Sequence, residues 1–229
     1  MSSPTLIDGP RFGPVSGRPP KHLVIFLHGY GADGHDLIDI ARHWCHALPE
    51  AAFVSPHAPE PCADAPTGRQ WFRLSERSPA EIWRGAVAAA PALERFIDAE
   101  LARHRLDERA MALVGFSQGT MMALHVGPRR ARPVAGIVGY SGLLAGPDRL
   151  AAEARSKPPV LLIHGDEDPL IPVGALFGAV NGLASAGIAA EWHVRPGLQH
   201  GIDPDGLELG AAFLRRVLSP ESFSAGSDL

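Results

Sequence analysis

Apolar runs of four to seven residues alternate along the chain with longer stretches in which apolar positions recur every three or four residues. Leu23–Leu27, Ala52–Ser55, Met111–Gly115, Ala135–Tyr140, Val160–His164 and Ala189–Val194 read as strands. Most are apolar throughout, the pattern of strands covered on both faces of a parallel sheet. Between them, Leu37, Ile40, Ala41, Trp44 and Leu48 form one helical stripe. Ile82, Ala86, Ala89, Ala90, Leu93, Ile97 and Leu101 form another, with Pro91 predicting a kink inside it. Leu176–Ala186 and Leu207–Leu218 predict further helices, the last opened by Asp203 as N-cap and Pro204 at the first helical position. Strands alternating with helices through short crossovers predict an α/β fold, a mostly parallel central sheet with helices on both faces.

One segment departs from the pattern. Residues 56–80 are proline-rich and aperiodic, and contain Gly68-Arg69-Gln70-Trp71-Phe72. A loop this long inside a compact domain is functional or disordered. Two adjacent aromatics favour order, and Trp71 and Phe72 are assigned to the rim of a binding site, with core anchoring as the alternative. The ends, residues 1–18 and 219–229, read as loosely held, leaving 19–218 as a single domain.

Composition removes several function classes. A chain of 229 residues can bury a core without a metal or disulfide staple. Cys45 and Cys62 are too few for a disulfide framework, and the eleven histidines show no metal-ligand spacing, so no metal is expected. A net charge of −4 argues against nucleic acid as a partner. The basic cluster Arg129-Arg130-Ala131-Arg132 has no interleaved aromatics and reads as a solvated loop. No apolar run approaches the ~20 residues of a membrane span, and the N-terminus lacks the apolar core of a secretory signal. A cytoplasmic protein is the expectation.

The candidate chemistry centres on Gly115-Phe116-Ser117-Gln118-Gly119, between an apolar run and a helix-compatible stretch. This is the strand–turn–helix setting of a nucleophile elbow, where side chains two positions either side of the serine would collide with their surroundings. Serine needs a base and an orienting carboxylate, expected in that order in loops after later strands. The strand ending at His164 runs into Gly165-Asp166-Glu167-Asp168-Pro169, and the strand ending at Val194 into Pro196-Gly197-Leu198-Gln199-His200-Gly201. Asp168 and Asp166 compete for the acid; Asp168 lies deeper in the loop before a rigid proline, whereas Asp166 suits backbone capping. His200, in a glycine-flanked loop, is favoured as base over His193, which sits inside a strand. The oxyanion donors are expected to be the backbone N–H groups of Gln118 and Tyr30, the latter in the glycine-rich loop after the first strand. His28, at a strand end, reads as structural.

His28-Gly29-Tyr30-Gly31-Ala32-Asp33-Gly34, Gly115–Gly119, His164 to Pro172 and His200-Gly201 together resemble the signature blocks of the carboxylesterase/phospholipase family, which includes the acyl-protein thioesterases. The resemblance covers about residues 21–218 and implies an α/β-hydrolase fold. It also implies Ser117, Asp168 and His200 as triad, Tyr30 and Gln118 as oxyanion donors, and no cofactor. Tyr30 stands where eukaryotic thioesterases usually carry leucine, and the Gly68–Phe72 segment differs from theirs, so a bacterial-type hydrolase of small esters fits better. The expected activity is cleavage of carboxylic esters of short-to-medium acyl chains, with thioesters or lysophospholipids as alternative substrates. A dienelactone-type hydrolase calls for cysteine at position 117, and a non-catalytic module typically lacks a triad member. The chain leaves little length for a large lid, so an open, shallow, apolar site is expected. Related enzymes are often dimers, which leaves a homodimer open.

Overall fold

The computed structural model describes residues 7–219; residues 1–6 and 220–229, most of the segments read as loosely held, lie outside it. The strands are β1 (Arg11–Phe12), β2 (His22–Leu27), β3 (Ala51–Val54), β4 (Glu60–Pro61), β5 (Arg69–Gln70), β6 (Met111–Phe116), β7 (Gly136–Tyr140), β8 (Val160–Gly165) and β9 (Ala190–Arg195). The helices are α1 (Gly34–Ile38), α2 (Ile40–Trp44), α3 (Pro79–His104), α4 (Gln118–Val126), α5 (Pro147–Glu153), α6 (Gly174–Ser185) and α7 (Pro204–Leu218). The main sheet has the order β1-β3-β2-β6-β7-β8-β9, with every neighbour parallel except the antiparallel edge pair β1–β3. This is the mostly parallel sheet expected from the sequence, and no separate lid domain stands among the described residues.

Successive strand residues feed two separate cores. Leu23, Ile25, Leu27, Met111, Leu113 and Leu162 pack with α3, α4 and α6, while Val24, Phe26, Val114, Val138 and Ile163 pack with α1, α2 and α7. Strands apolar on both faces therefore had to be sandwiched. The stripe from Leu37 to Leu48 is divided into two short helices, and α3 runs through Pro91 as one element. Asp203 caps α7 by accepting the Gly206 N–H at 2.8 Å, with Pro204 in the first turn, as the sequence predicts.

Two elements had no periodic signal. Arg11 anchors the edge strand β1 through an ion pair at 2.7 Å with Glu100, a nearly inaccessible carboxylate that also meets Arg103 at 3.2 Å. A tie across so many residues leaves no local pattern. The proline-rich segment folds into the β4–β5 ribbon, with Arg69 donating to the Ala58 and Pro59 carbonyls. The basic cluster is less free than a solvated loop: Arg129 pairs with Glu153, and Arg130 with Asp98 and Glu108. No described helix is long and apolar enough to cross a membrane.

Buried imidazoles give the fold an acid-sensitive component. Desolvation pushes His28 and His125 down to about 4 from 6.5, and Arg129 adds to the effect at His125. An unfolded chain protonates both as the pH falls through 6.5, whereas the folded chain resists until about 4. Their stabilisation is complete above 6.5 and is lost as the pH falls toward 4. Each is expected to cost on the order of 2 kcal/mol of unfolding free energy between pH 7.5 and 4.5. Urea titrations at the two pH values measure this, and His125→Gln should flatten part of the slope; an unchanged slope would remove His125 from the account.

Candidate active site

The chain leaves β6 and enters α4 through Ser117, whose backbone has φ 54° and ψ −117°. Such a conformation strains any non-glycine residue by about 1–3 kcal/mol and persists only where its surroundings over-determine it. The flanking glycines show how. A Cβ on Gly119 would stand 1.7 Å from the Leu27 carbonyl oxygen, and one on Gly115 would stand 2.4 Å from the Thr120 nitrogen. The start of α4 is thus pressed against the end of β2, a contact only bare backbone allows. Thr120 Oγ1 donates to the Tyr140 carbonyl at 2.8 Å, and the Ser117 N–H donates to the same oxygen at 2.9 Å, tying the turn to β7.

Asp168 and His200 arrive on the loops after β8 and β9, at the carboxyl ends of the parallel strands, where such sheets gather ligands. His200 Nδ1 lies 2.7 Å from Asp168 Oδ2, and His200 Nε2 lies 3.0 Å from Ser117 Oγ. With a carboxylate opposite Nδ1, that nitrogen carries the proton, leaving Nε2 to accept from the serine hydroxyl. Burial pushes the Asp168 carboxyl up, but the Ile171 N–H, His200 and the Leu170 N–H outweigh it and hold it below the usual range. Asp168 is therefore held as a carboxylate.

The other candidates fall elsewhere. Asp166 accepts the Gly197 N–H at 2.7 Å, the capping duty foreseen for it. His193 lies within β9. His28 Nδ1 donates to the Gly29 carbonyl and Nε2 accepts from the Ala58 N–H, which engages both ring nitrogens in backbone bonds. Tyr30 lines the cavity over Ser117 and its hydroxyl donates to Asp64 at 2.8 Å. Among the described residues, no hydrogen bond occupies the backbone N–H of Tyr30 or Gln118.

Trp71 and Phe72 do not form the rim. Both are buried in the larger core and neither lines the cavity. The Trp71 indole donates to the His28 carbonyl at 3.0 Å, its N–H to Gln118 Oε1 at 2.9 Å, and Gln118 Nε2 to the Phe72 carbonyl at 2.7 Å. The Trp71 indole and amide, the Phe72 carbonyl and both ends of the Gln118 side-chain amide are all paired, so the aromatics anchor the loop from beneath. The cavity over Ser117, of about 380 Å³, is lined instead by residues that include Tyr30, Leu74, Arg77, Leu143, Leu170 and Ile171.

Three contributors had no sequence reading. His164 Nε2 donates to the Ile171 carbonyl at 2.8 Å and stands 3.3 Å from Asp168 Oδ2, bracing the acid's loop. Ser141, at φ 46°, donates from Oγ to the Gly201 carbonyl at 3.0 Å, beside the imidazole. The Phe116 ring lies 5.0 Å from that of His200. The strand-end pairs Ser141-Gly142 and His164-Gly165 were the signal available. Asp33, His35 and His57 bring one possible metal-ligand atom each within 4.8 Å of one another. Asp33 Oδ1 already accepts the His35 N–H and His57 Nδ1 the Gly34 N–H, and none of the three lines the cavity over Ser117.

The family model described as Phospholipase/Carboxylesterase matches residues 15–218. Acyl-protein thioesterase 1 of Gibberella zeae is 29% identical over 216 residues, covering 87% of this chain and 92% of its own. Esterase YpfH of Escherichia coli is 26% identical over 206 residues, covering 90% and 87%. Among solved structures, esterase PE8 superposes with a TM-score of 0.90 at 42% identity, covering 93% of this chain and 100% of that one. Arabidopsis thaliana SOBER1, at 24% identity and a TM-score of 0.77 over 86% of this chain and 99% of its own, shares the fold.

Gln118 carries a specific expectation. Gln118→Ala strands the buried Trp71 N–H and Phe72 carbonyl, each at about 1–3 kcal/mol. The urea midpoint should fall accordingly, and an unchanged midpoint would show that the clamp contributes nothing.

Proposed function

The chain belongs to the phospholipase/carboxylesterase family, a hydrolase of the esterase and thioesterase type, and from that premise we propose that it cleaves carboxylic esters of short-to-medium acyl chains through a serine acyl-enzyme. The observation that carries this reading is the pair of contacts at His200, 2.7 Å to Asp168 and 3.0 Å to Ser117.

In this mechanism Ser117 Oγ attacks the acyl carbonyl while His200 Nε2 takes its proton. Asp168 keeps the other ring proton on Nδ1 and stabilises the imidazolium. The Tyr30 and Gln118 amides receive the negative charge that develops on the carbonyl oxygen. Gln118 opens α4, so its N–H also carries the positive end of the helix dipole. His200 then protonates the departing alcohol as the ester C–O bond breaks. Water, deprotonated by the same imidazole, attacks the acyl-serine and releases the acid and the free hydroxyl.

The cavity walls suit an acyl chain: Leu74, Ile82, Met121 and Ile171 supply apolar surface beside Ser117. Thioester cleavage by the same groups is the second reading, favoured by the relatives named acyl-protein thioesterase.

Ser117→Ala should lower kcat for a short model ester by about 10⁴–10⁶ with the fold retained. A fluorophosphonate probe should label the wild-type chain at position 117 alone. Retention of more than a tenth of the activity, or labelling elsewhere, would remove Ser117 from the mechanism. Oxygen esters and thioesters of one acyl chain, compared by kcat/KM, separate the two substrate readings.

A further inference from the structure

The cavity over Ser117 does not end at its own walls. A second cavity, of about 580 Å³, shares Arg77, Ile82, Leu143 and Ala175 with it, so the two are parts of one groove. The far part lies between the first turns of α3, the start of α5 and the first half of α6, with Leu144, Ala145 and Ala179 supplying apolar surface.

The charged groups around this apolar trough are unbalanced. Arg77, Arg84 and Arg149 line it, against Asp148 as the one carboxylate. All three arginines are exposed, and none forms an ion pair among the described residues, unlike Arg129, Arg130 and Arg195. The neighbouring acid Glu81 is committed elsewhere, accepting the Ser75, Glu76 and Arg77 amides at 2.8, 2.9 and 2.7 Å. The Arg149 guanidinium stacks over the Trp83 ring, 4.0 Å from its centroid, which restricts where its donors point. The Trp83 indole N–H itself has no acceptor. This end of the groove is thus rich in donors and positive charge, in a chain whose net charge is −4.

We propose that the far part of the groove receives an anionic group, a carboxylate or phosphate, at the distal end of an ester substrate whose apolar chain lies along the groove and whose carbonyl sits at Ser117. The proposal rests on the ester-hydrolase reading and narrows its substrate to acid-terminated esters. Planar guanidinium donors suit both anions, and the apolar trough between charge and nucleophile sets a spacing that a neutral short ester does not need.

The test compares kcat/KM for p-nitrophenyl esters of acyl chains of increasing length. Each carries at its far end a carboxylate, a phosphate or a neutral methyl-ester cap. At one chain length an anionic form should exceed its neutral counterpart by roughly tenfold or more at low salt. That ratio should shrink as salt is added. Arg77→Gln, Arg84→Gln and Arg149→Gln, singly and combined, should bring the ratio toward one. Arg109→Gln, the same change of charge at the opposite end of β6, should leave it unaltered. Preference for either anion sustains the proposal and identifies which one is recognised. Equal rates for charged and neutral esters at every length overturn it, as does a preference that survives the combined variant. Loss of all turnover, or turnover that persists in Ser117→Ala, would instead count against the ester-hydrolase reading.

Discussion

The site depends on one steric constraint, the approach of bare backbone at Gly119 to the carbonyl of Leu27. That contact brings the start of α4 onto the end of β2, and with it the reversal of the chain at Ser117. Any side chain at position 119 would separate helix from strand, and the serine would then have no reason to hold a left-handed backbone. The strain at Ser117 is sustained because both of its sides are fixed: β6 pairs with β2 and β7 in the middle of the sheet, and α4 is buried along its whole length. Helix, strand and loop meet at a point with no freedom to relax.

From that point the arrangement is built outward by loops rather than by further elements. β8 and β9 both end on the side of the sheet where Ser117 emerges, as parallel neighbours must, so their connecting loops meet above it. The acid is braced from several directions: two backbone amides on Oδ1, His200 and His164 near Oδ2. A carboxylate held this way cannot turn aside, and the imidazole that donates to it inherits that orientation. Below, the Gln118 side chain fastens the loop carrying Trp71 and Phe72 to the residue next to the nucleophile. One residue thereby offers its backbone to the cavity and its side chain to the core.

Much of this was legible in the sequence because the relevant signals are local. Apolar runs gave the inner parallel strands, since strands buried on both faces cannot hide polar residues; β9, at the edge of the sheet, is half-exposed and carries Glu191, His193 and Arg195. The spacing of glycines about Ser117 reported a steric demand within five residues, and the order of Asp168 and His200 followed from loops at strand ends. What was illegible depends on pairs far apart in the chain. Arg11 meets Glu100, and no pattern near either announces it. Trp71 and Phe72 looked like rim residues because an aromatic pair in a long loop needs a burial site, and sequence does not say whether that site is a ligand or the core. The partner that decides the matter, the Gln118 amide, is 47 positions away from Trp71. Ser141 was hidden for the same reason, since its partner Gly201 lies on the loop after β9, whereas His164 meets Asp168 and Ile171 in the loop that directly follows it.

The loop bearing His200 is fastened mainly to its neighbour. Gly197 N–H donates to Asp166, Glu167 N–H to the Leu198 carbonyl, Ser141 to the Gly201 carbonyl, and His200 itself to Asp168. The imidazole is therefore suspended from the β7 and β8 ends of the sheet, while β9 and α7 merely deliver the chain to it. Descendants of this sequence could trade exposed β9 residues such as Glu191 and Trp192 with the position of the base preserved. Drift in the loop after β8 has no such licence, because it would move acid and base together.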